Sequence, residues 1–318
     1  MSWFLFALLC LVGWGFADLF YKRGSDEADR RSHWRIAVWV GLVMGVAALF
    51  LLPLTETLRT GDFFRKAVAY LPASLSYILS MVIGYAGLRY LELSVVSPLQ
   101  NASGALSAVF LLLYLLIRGQ IGSIGEAFSP LDLIGTGCIV AGVIGLSVAE
   151  QRLARRENAA EPRRYRRGAL ALLFPLLYCV LDTVGTTADG ILLDETNGLG
   201  LGEWDVLVLY GMTFFLFGLA AWIFLLIREK KPYNPFAKTE RPKAAAALCE
   251  EVGQVFYVFA MAARPVLAAP TVASYCIVSI LLSRLFLKEK LKPSQAVPIA
   301  AVVVGIVLLG IAEGLAAE

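Results

Sequence analysis

Ten stretches of about twenty apolar residues run through this 318-residue chain, and each is long enough to cross the ~30 Å hydrocarbon core of a bilayer as a helix. They lie at Trp3–Tyr21, Arg35–Leu54, Ala67–Arg89, Val95–Ile117, Leu131–Ala149, Gly168–Gly190, Trp204–Ile227, Ala244–Ala263, Val266–Leu287 and Ala296–Ala312. The connecting loops are too short to hide a soluble domain. Composition agrees, with 58% apolar and 17% charged residues, against about 45–50% and 25% in soluble domains. A water-soluble enzyme, a nucleic-acid binder, a single-pass receptor and a disordered chain are all excluded. The expected fold is an all-α polytopic membrane protein. Its first span is not expected to be a cleaved leader, because Lys22, Arg23, Arg30 and Arg31 follow it rather than precede it.

Catalytic and metal chemistry has little to work with. Cys10, Cys138, Cys179, Cys249 and Cys276 are scattered through apolar spans without CxxC spacing, and His33 is the one histidine. No metal, cofactor or enzymatic activity is therefore expected. Some motif matches fail on context. Asn101-Ala102-Ser103 reads as a glycosylation acceptor but falls inside a span, and Gly135-Thr136-Gly137 has no preceding strand. Gly41 and Gly45 form a GxxxG pair that allows close helix packing.

The two halves of the chain look like copies. Ala7–Asp18 lies over Ala171–Asp182, placing Trp14 on Tyr178 and Asp18 on Asp182; further on, Tyr85 matches Tyr257, Pro98 matches Pro270 and Ser107 matches Ser279. The expected division is residues 1–149, a basic linker over 150–167, and residues 168–318. Five crossings per copy invert the second relative to the first, the arrangement of many secondary transporters. Charge gives an independent test. Loops after odd-numbered spans carry 23 Lys and Arg residues, and loops after even-numbered spans carry five. The positive-inside rule then places the odd loops in the cytoplasm and both termini outside, in the plasma (inner) membrane.

Three stretches resemble the drug/metabolite transporter superfamily, specifically its EamA type with two five-helix repeats. They are WGFADLFYKR at Trp14–Arg23, LELSVVSPLQNASGALSAVF at Leu91–Phe110, and ARPVLAAPTVASYCIVSILLSRLFLKEKLKPSQ at Ala263–Gln295, with Glu289 as the acidic residue that ends helix nine. The first copy departs from the pattern: IRGQIGSIGEAFSP stands where helix four would end in Glu. The resemblance implies ten transmembrane helices in two inverted repeats and transport of a small molecule. It also implies cytoplasmic termini by family habit, against the charge bias here.

Carboxylates inside spans are costly and point to function. Four stand out: Asp18, Asp182, Glu250 and Glu251. Asp18 has the bland alternative of pairing with Lys22 one turn on, whereas Asp182 has Thr183, Thr186 and Thr187 nearby. Glu250 lies about seven residues into its span, roughly 10 Å deep at 1.5 Å per residue. It continues through Gln254, Tyr257 and Met261 as one polar stripe. Glu251 has no such stripe. Trp14, Tyr178, Gln100, Asn101 and Tyr275 complete the candidate substrate-binding or coupling residues; for helix four the bland reading is a small polar helix interface. Arg89, Arg264 and Arg284 sit near span ends and read as snorkelling.

The expected function is secondary active transport of a small organic solute (an amine, amino acid or similar metabolite or drug) by alternating access, with protons as the coupling partner. The alternatives are a sugar or nucleotide-derivative exchanger of the same fold, or a non-transporting sensor or scaffold. Partners are expected to be the solute and the lipid bilayer, with no nucleic acid, and the chain to act as a monomer or homodimer.

Overall fold

The computed structural model describes residues 2–25, 29–56, 61–159, 171–194, 198–229, 233–289 and 293–316. Ten long helical segments cross it: α1 Trp3–Gly24, α2 Ser32–Leu51, α3 Phe63–Gly87, α4 Leu93–Ile117, α5 Pro130–Ala159, α6 Leu173–Leu192, α7 Glu203–Glu229, α8 Arg241–Ala263, α9 Pro265–Leu287 and α10 Pro293–Ala316. Among the described residues nine of these are long and apolar enough to span a membrane. The exception is α6, whose two carboxylates and three threonines dilute its apolar run. The later part of the expected linker, residues 160–167, lies outside the described residues, and α5 runs on to Ala159.

The main helix pairs join one half of the chain to the other. They are α1 with α8, α3 with α6, α2 with α7, α4 with α9, and α5 with α10. A twofold relation between α1–α5 and α6–α10 has this consequence, since it exchanges the first two pairs and maps each of the others onto itself. The halves are thus interleaved rather than separate globules. Small residues set the crossings. A β-carbon added to Gly41 would run into the backbone of Gly218, and one on Gly135 into that of Gly305. Close backbone approach is how membrane helices gain packing energy where no hydrophobic drive separates helix from lipid.

Helix nine departs from the continuous span expected. It is interrupted at Ser274–Tyr275 and passes into a wide π-turn over Ser283–Leu287. Pro270 supplies no N–H to the helix ladder. Thr271 and Ser274 hydroxyls donate back to the carbonyls of Leu267 (2.7 Å) and Thr271 (2.5 Å). Irregular backbone is tolerated at such depth where it is buried in protein, and 89% of this span's most apolar window is buried. The helix ends at Lys288, in the left-handed region at φ 60°. That turn brings Glu289 onto the start of α4, where its carboxylate accepts from the N–H groups of Leu93 (3.1 Å) and Ser94 (3.0 Å). An anion on otherwise orphaned N-terminal N–H groups is a stabilising cap.

The two ends of the bundle differ. At the basic-loop end, the Lys22 ammonium donates to the carbonyls of Leu88 (2.6 Å) and Leu91 (2.7 Å), beside the Glu289 cap. Arg35 there pairs with Asp29 (3.2 Å) and Glu229 (2.9 Å), tying the starts of α2 and the end of α7 together. The opposite end holds an open cleft of about 580 Å³ between α4, α6 and the α8–α9 junction, lined by Tyr114, Gln120, Phe128, Asp194, Met261 and Arg264 among others.

Candidate functional site

The charged centre forms where α1, α3, α4, α6, α8 and α9 meet. Glu250, 3% exposed on α8, accepts hydrogen bonds from Tyr77 on α3 (2.5 Å) and Tyr21 on α1 (3.4 Å). The Trp14 indole N–H donates to the Glu250 carbonyl oxygen at 3.3 Å. Trp14 itself stands among three phenol rings, with centroids 6.2 Å from Tyr77, 5.1 Å from Tyr257 and 5.6 Å from Tyr275. It lies so close to α8 that a β-carbon on Gly253 would overlap the indole.

Asp18 and Asp182 both take a serine of α4 as donor. Asp18 Oδ2 accepts from Ser97 Oγ (2.6 Å) and from Ser279 Oγ on α9 (2.7 Å). Asp182 accepts from Ser103 Oγ at 2.6 Å. The bland pairing of Asp18 with Lys22 gives way to serine ligation of the carboxylate, with the Lys22 ammonium on carbonyls. Ser107, also on α4, donates to the Thr183 carbonyl next to Asp182 at 3.4 Å.

Two small cavities of about 20 Å³ each lie inside this centre. One is bounded by Asp18, Glu250, Tyr21, Tyr85, Gln100 and Tyr178, and the other by Asp182, Thr186, Tyr257, Asn101 and Ser103; Trp14, Tyr77, Tyr178 and Tyr275 border both. No lysine or arginine is among the lining residues. Tyr178 donates to the Met81 sulfur (3.4 Å), and Asn101 Nδ2 to the Ser97 carbonyl (2.8 Å). Two buried amides keep unpaired polar atoms: Nε2 of Gln100, and both Nε2 and Oε1 of Gln254. Gln254 borders neither cavity, so the stripe expected from Glu250 through Gln254 to Tyr257 divides between two environments. Glu251 lines neither cavity.

One buried carboxylate escaped the sequence reading. Asp189 on α6, 1% exposed, accepts from Tyr70 on α3, Tyr210 on α7 and Tyr257 on α8, the last at 2.9 Å. It falls at the end of the expected sixth span, where an acidic residue looks interfacial. The signal available was its spacing from Asp182, two turns along the same helix face.

A family model for the EamA-like transporter family matches residues 1–148 and 197–311. No curated protein matches. Among solved structures, one described as "Crystal structure of protein" is 14% identical, with 98% of this chain and 96% of that chain covered and a TM-score of 0.59. That likeness speaks for the fold alone.

Proposed function

This chain belongs to the EamA-like transporter family, and from that premise we propose that it moves a small organic solute by alternating access between its interleaved halves. A membrane transporter is what the family is; the solute and the mechanism are our reading. The observation that carries it is the makeup of the centre. Asp18, Asp182 and Glu250 line cavities walled by indole and phenol rings, with no lining cation. Aromatic faces attract cations, and buried carboxylates need a positive partner or a proton. An amine or an amino acid presenting its ammonium group fits this chemistry. Exchange of a sugar or nucleotide derivative would call for lining lysine or arginine.

In this reading Glu250 is the switching group, taking up a proton or the solute's ammonium as the centre changes sides. The two 20 Å³ cavities are far below the ~300–1,000 Å³ of ordinary ligand pockets, so the centre is occluded and must open to admit solute. The 580 Å³ cleft offers the approach. The loop charges support a cytoplasmic basic-loop end with both termini outside, making this cleft outward-facing. The test is uptake into liposomes containing the purified protein, run across amines, amino acids, sugars and drugs with and without a pH gradient. Saturable uptake of cationic or zwitterionic solutes is expected. Uptake confined to sugars or nucleotide derivatives, or to none of the panel, overturns the reading.

A further inference from the structure

The 580 Å³ cleft and the inner cavity at Asp182 are lined by successive turns of the same helices. On α8, Tyr257 borders the cavity and Met261, one turn on, borders the cleft. On α6 the same step runs from Thr186 to Gly190, and on α9 from Ala269 back to Val266. Three or four residues at 1.5 Å each leave a partition roughly 5–6 Å thick along these helices. A single layer of side chains therefore stands between a space of ordinary ligand-pocket size and the buried carboxylates.

Two contacts close that layer. Leu111 of α4 lies so near Gly190 of α6 that a β-carbon there would come within 2.5 Å of a leucine methyl, with Pro265 of α9 at 3.2 Å on the same spot. Next to Gly190 is Asp189, which accepts from Tyr70, Tyr210 and Tyr257. Of the three phenols, Tyr257 alone borders the inner cavity. Its hydroxyl donates to Asp189 at 2.9 Å, while its ring stands 5.1 Å from the Trp14 indole. A solute that meets Trp14 and Asp182 thus meets the ring whose hydroxyl is fastened in the partition. Packing alone does not account for this arrangement. Apolar residues of similar volume commonly replace a buried polar set at no loss of stability. Hydrogen bonds add a contact that breaks and re-forms in one orientation.

We propose that this layer is the gate between the cleft and the solute site, with Asp189 as its positioning residue. Asp189 borders neither the cleft nor the small cavities, and it acts through Tyr257. With the hydroxyl on the carboxylate, the ring is held across the passage; once released, the ring is free to turn aside. Use of the gate in transport rests on the transport reading above, but the barrier itself does not.

The experiment puts a thiol inside the cavity by Val272→Cys, a buried position on α9 that lines it. Purified full-length protein in detergent is exposed to a small charged methanethiosulfonate. Peptide mass spectrometry follows modification at position 272 and at the native, buried Cys276. Tyr257→Phe should speed modification at 272 about two- to tenfold, the population change that loss of one hydrogen bond allows. Leu111→Ala clears the other contact and should speed it too, with Cys276 at its wild-type rate in both variants. Should Tyr257→Phe fail to fold, Leu111→Ala carries the test. An unchanged rate at 272 overturns the gate. So does an equal rise at 272 and Cys276, which would be general loosening of the bundle. Faster modification at 272 without uptake of any solute would leave the gate standing and remove the transport reading. Uptake with an unchanged rate at 272 would do the reverse.

Discussion

Substituting Gly253 by alanine tests how tightly α1 and α8 meet at the centre. In a helix interior, alanine is favoured over glycine by about 1 kcal/mol. At Gly253 the added β-carbon would overlap the Trp14 indole. The indole cannot yield freely, being held by Tyr77, Tyr257 and Tyr275 and by its bond to the Glu250 carbonyl. Overpacking costs about 1–3 kcal/mol, and loss of the indole hydrogen bond about 1 kcal/mol more. After the propensity gain, Gly253→Ala should destabilise by about 1–3 kcal/mol. Gly137 on α5 is the control, because a β-carbon there meets nothing within 4 Å. Gly137→Ala should stabilise by up to about 1 kcal/mol. Thermal unfolding in detergent reads both, at roughly 2–4 °C per kcal/mol. If Gly253→Ala melts as high as Gly137→Ala, the indole is not wedged against α8 and the geometry of the centre is wrong.

Glu250→Gln should abolish flux or its pH dependence while Glu251→Gln transports normally; the opposite result would show that the wrong neighbour was chosen. Tyr257→Phe removes one of three donors to Asp189 and should cost about 1–3 kcal/mol in unfolding measurements, with an unchanged melting temperature counting against a held carboxylate. Glu289→Ala uncaps α4 and should cost about 0.5–2 kcal/mol. It should also speed thiol labelling of the buried Cys276, and labelling at the wild-type rate would mean that this cap does not hold the basic-loop end shut. A C-terminal tag should be reachable on intact cells, and a tag reachable only after permeabilisation would put the termini in the cytoplasm.

The helical membrane-spanning architecture was legible because it follows from a long-range regularity, apolar runs of bilayer length. Glu250 was legible for a related reason, as a carboxylate too deep to reach a headgroup. What sequence could not supply is which groups turn toward one another. Ser97 and Ser279, on different halves, become partners of Asp18 only once α4 and α9 cross. Tyr70, Tyr77 and Tyr210 read as ordinary apolar filling until Asp189 and Glu250 are placed beside them. The interruption of α9 was hidden too. Pro270 hints at it, but a proline within a membrane helix is often absorbed without a break.

The family match omits residues 149–196, and α6 falls within that gap. This is also the helix whose apolarity falls short of an ordinary span, because it carries Asp182 and Asp189. The stretch outside the family match therefore supplies two of the four carboxylates of the centre, Asp182 and Asp189. Each of the four is bridged to the other half. Asp18 reaches Ser279, Asp182 reaches Ser103, Asp189 reaches Tyr70, and Glu250 reaches Tyr77 and Tyr21. Any rearrangement of one half against the other must break some of these bonds, leaving a buried carboxylate short of partners at a cost of several kcal/mol. A cation, an ammonium group or a proton arriving at that moment offsets the cost. In the alternating-access mechanism proposed above, movement of the halves and capture of positive charge are one event, and that mechanism needs no separate linkage through the protein.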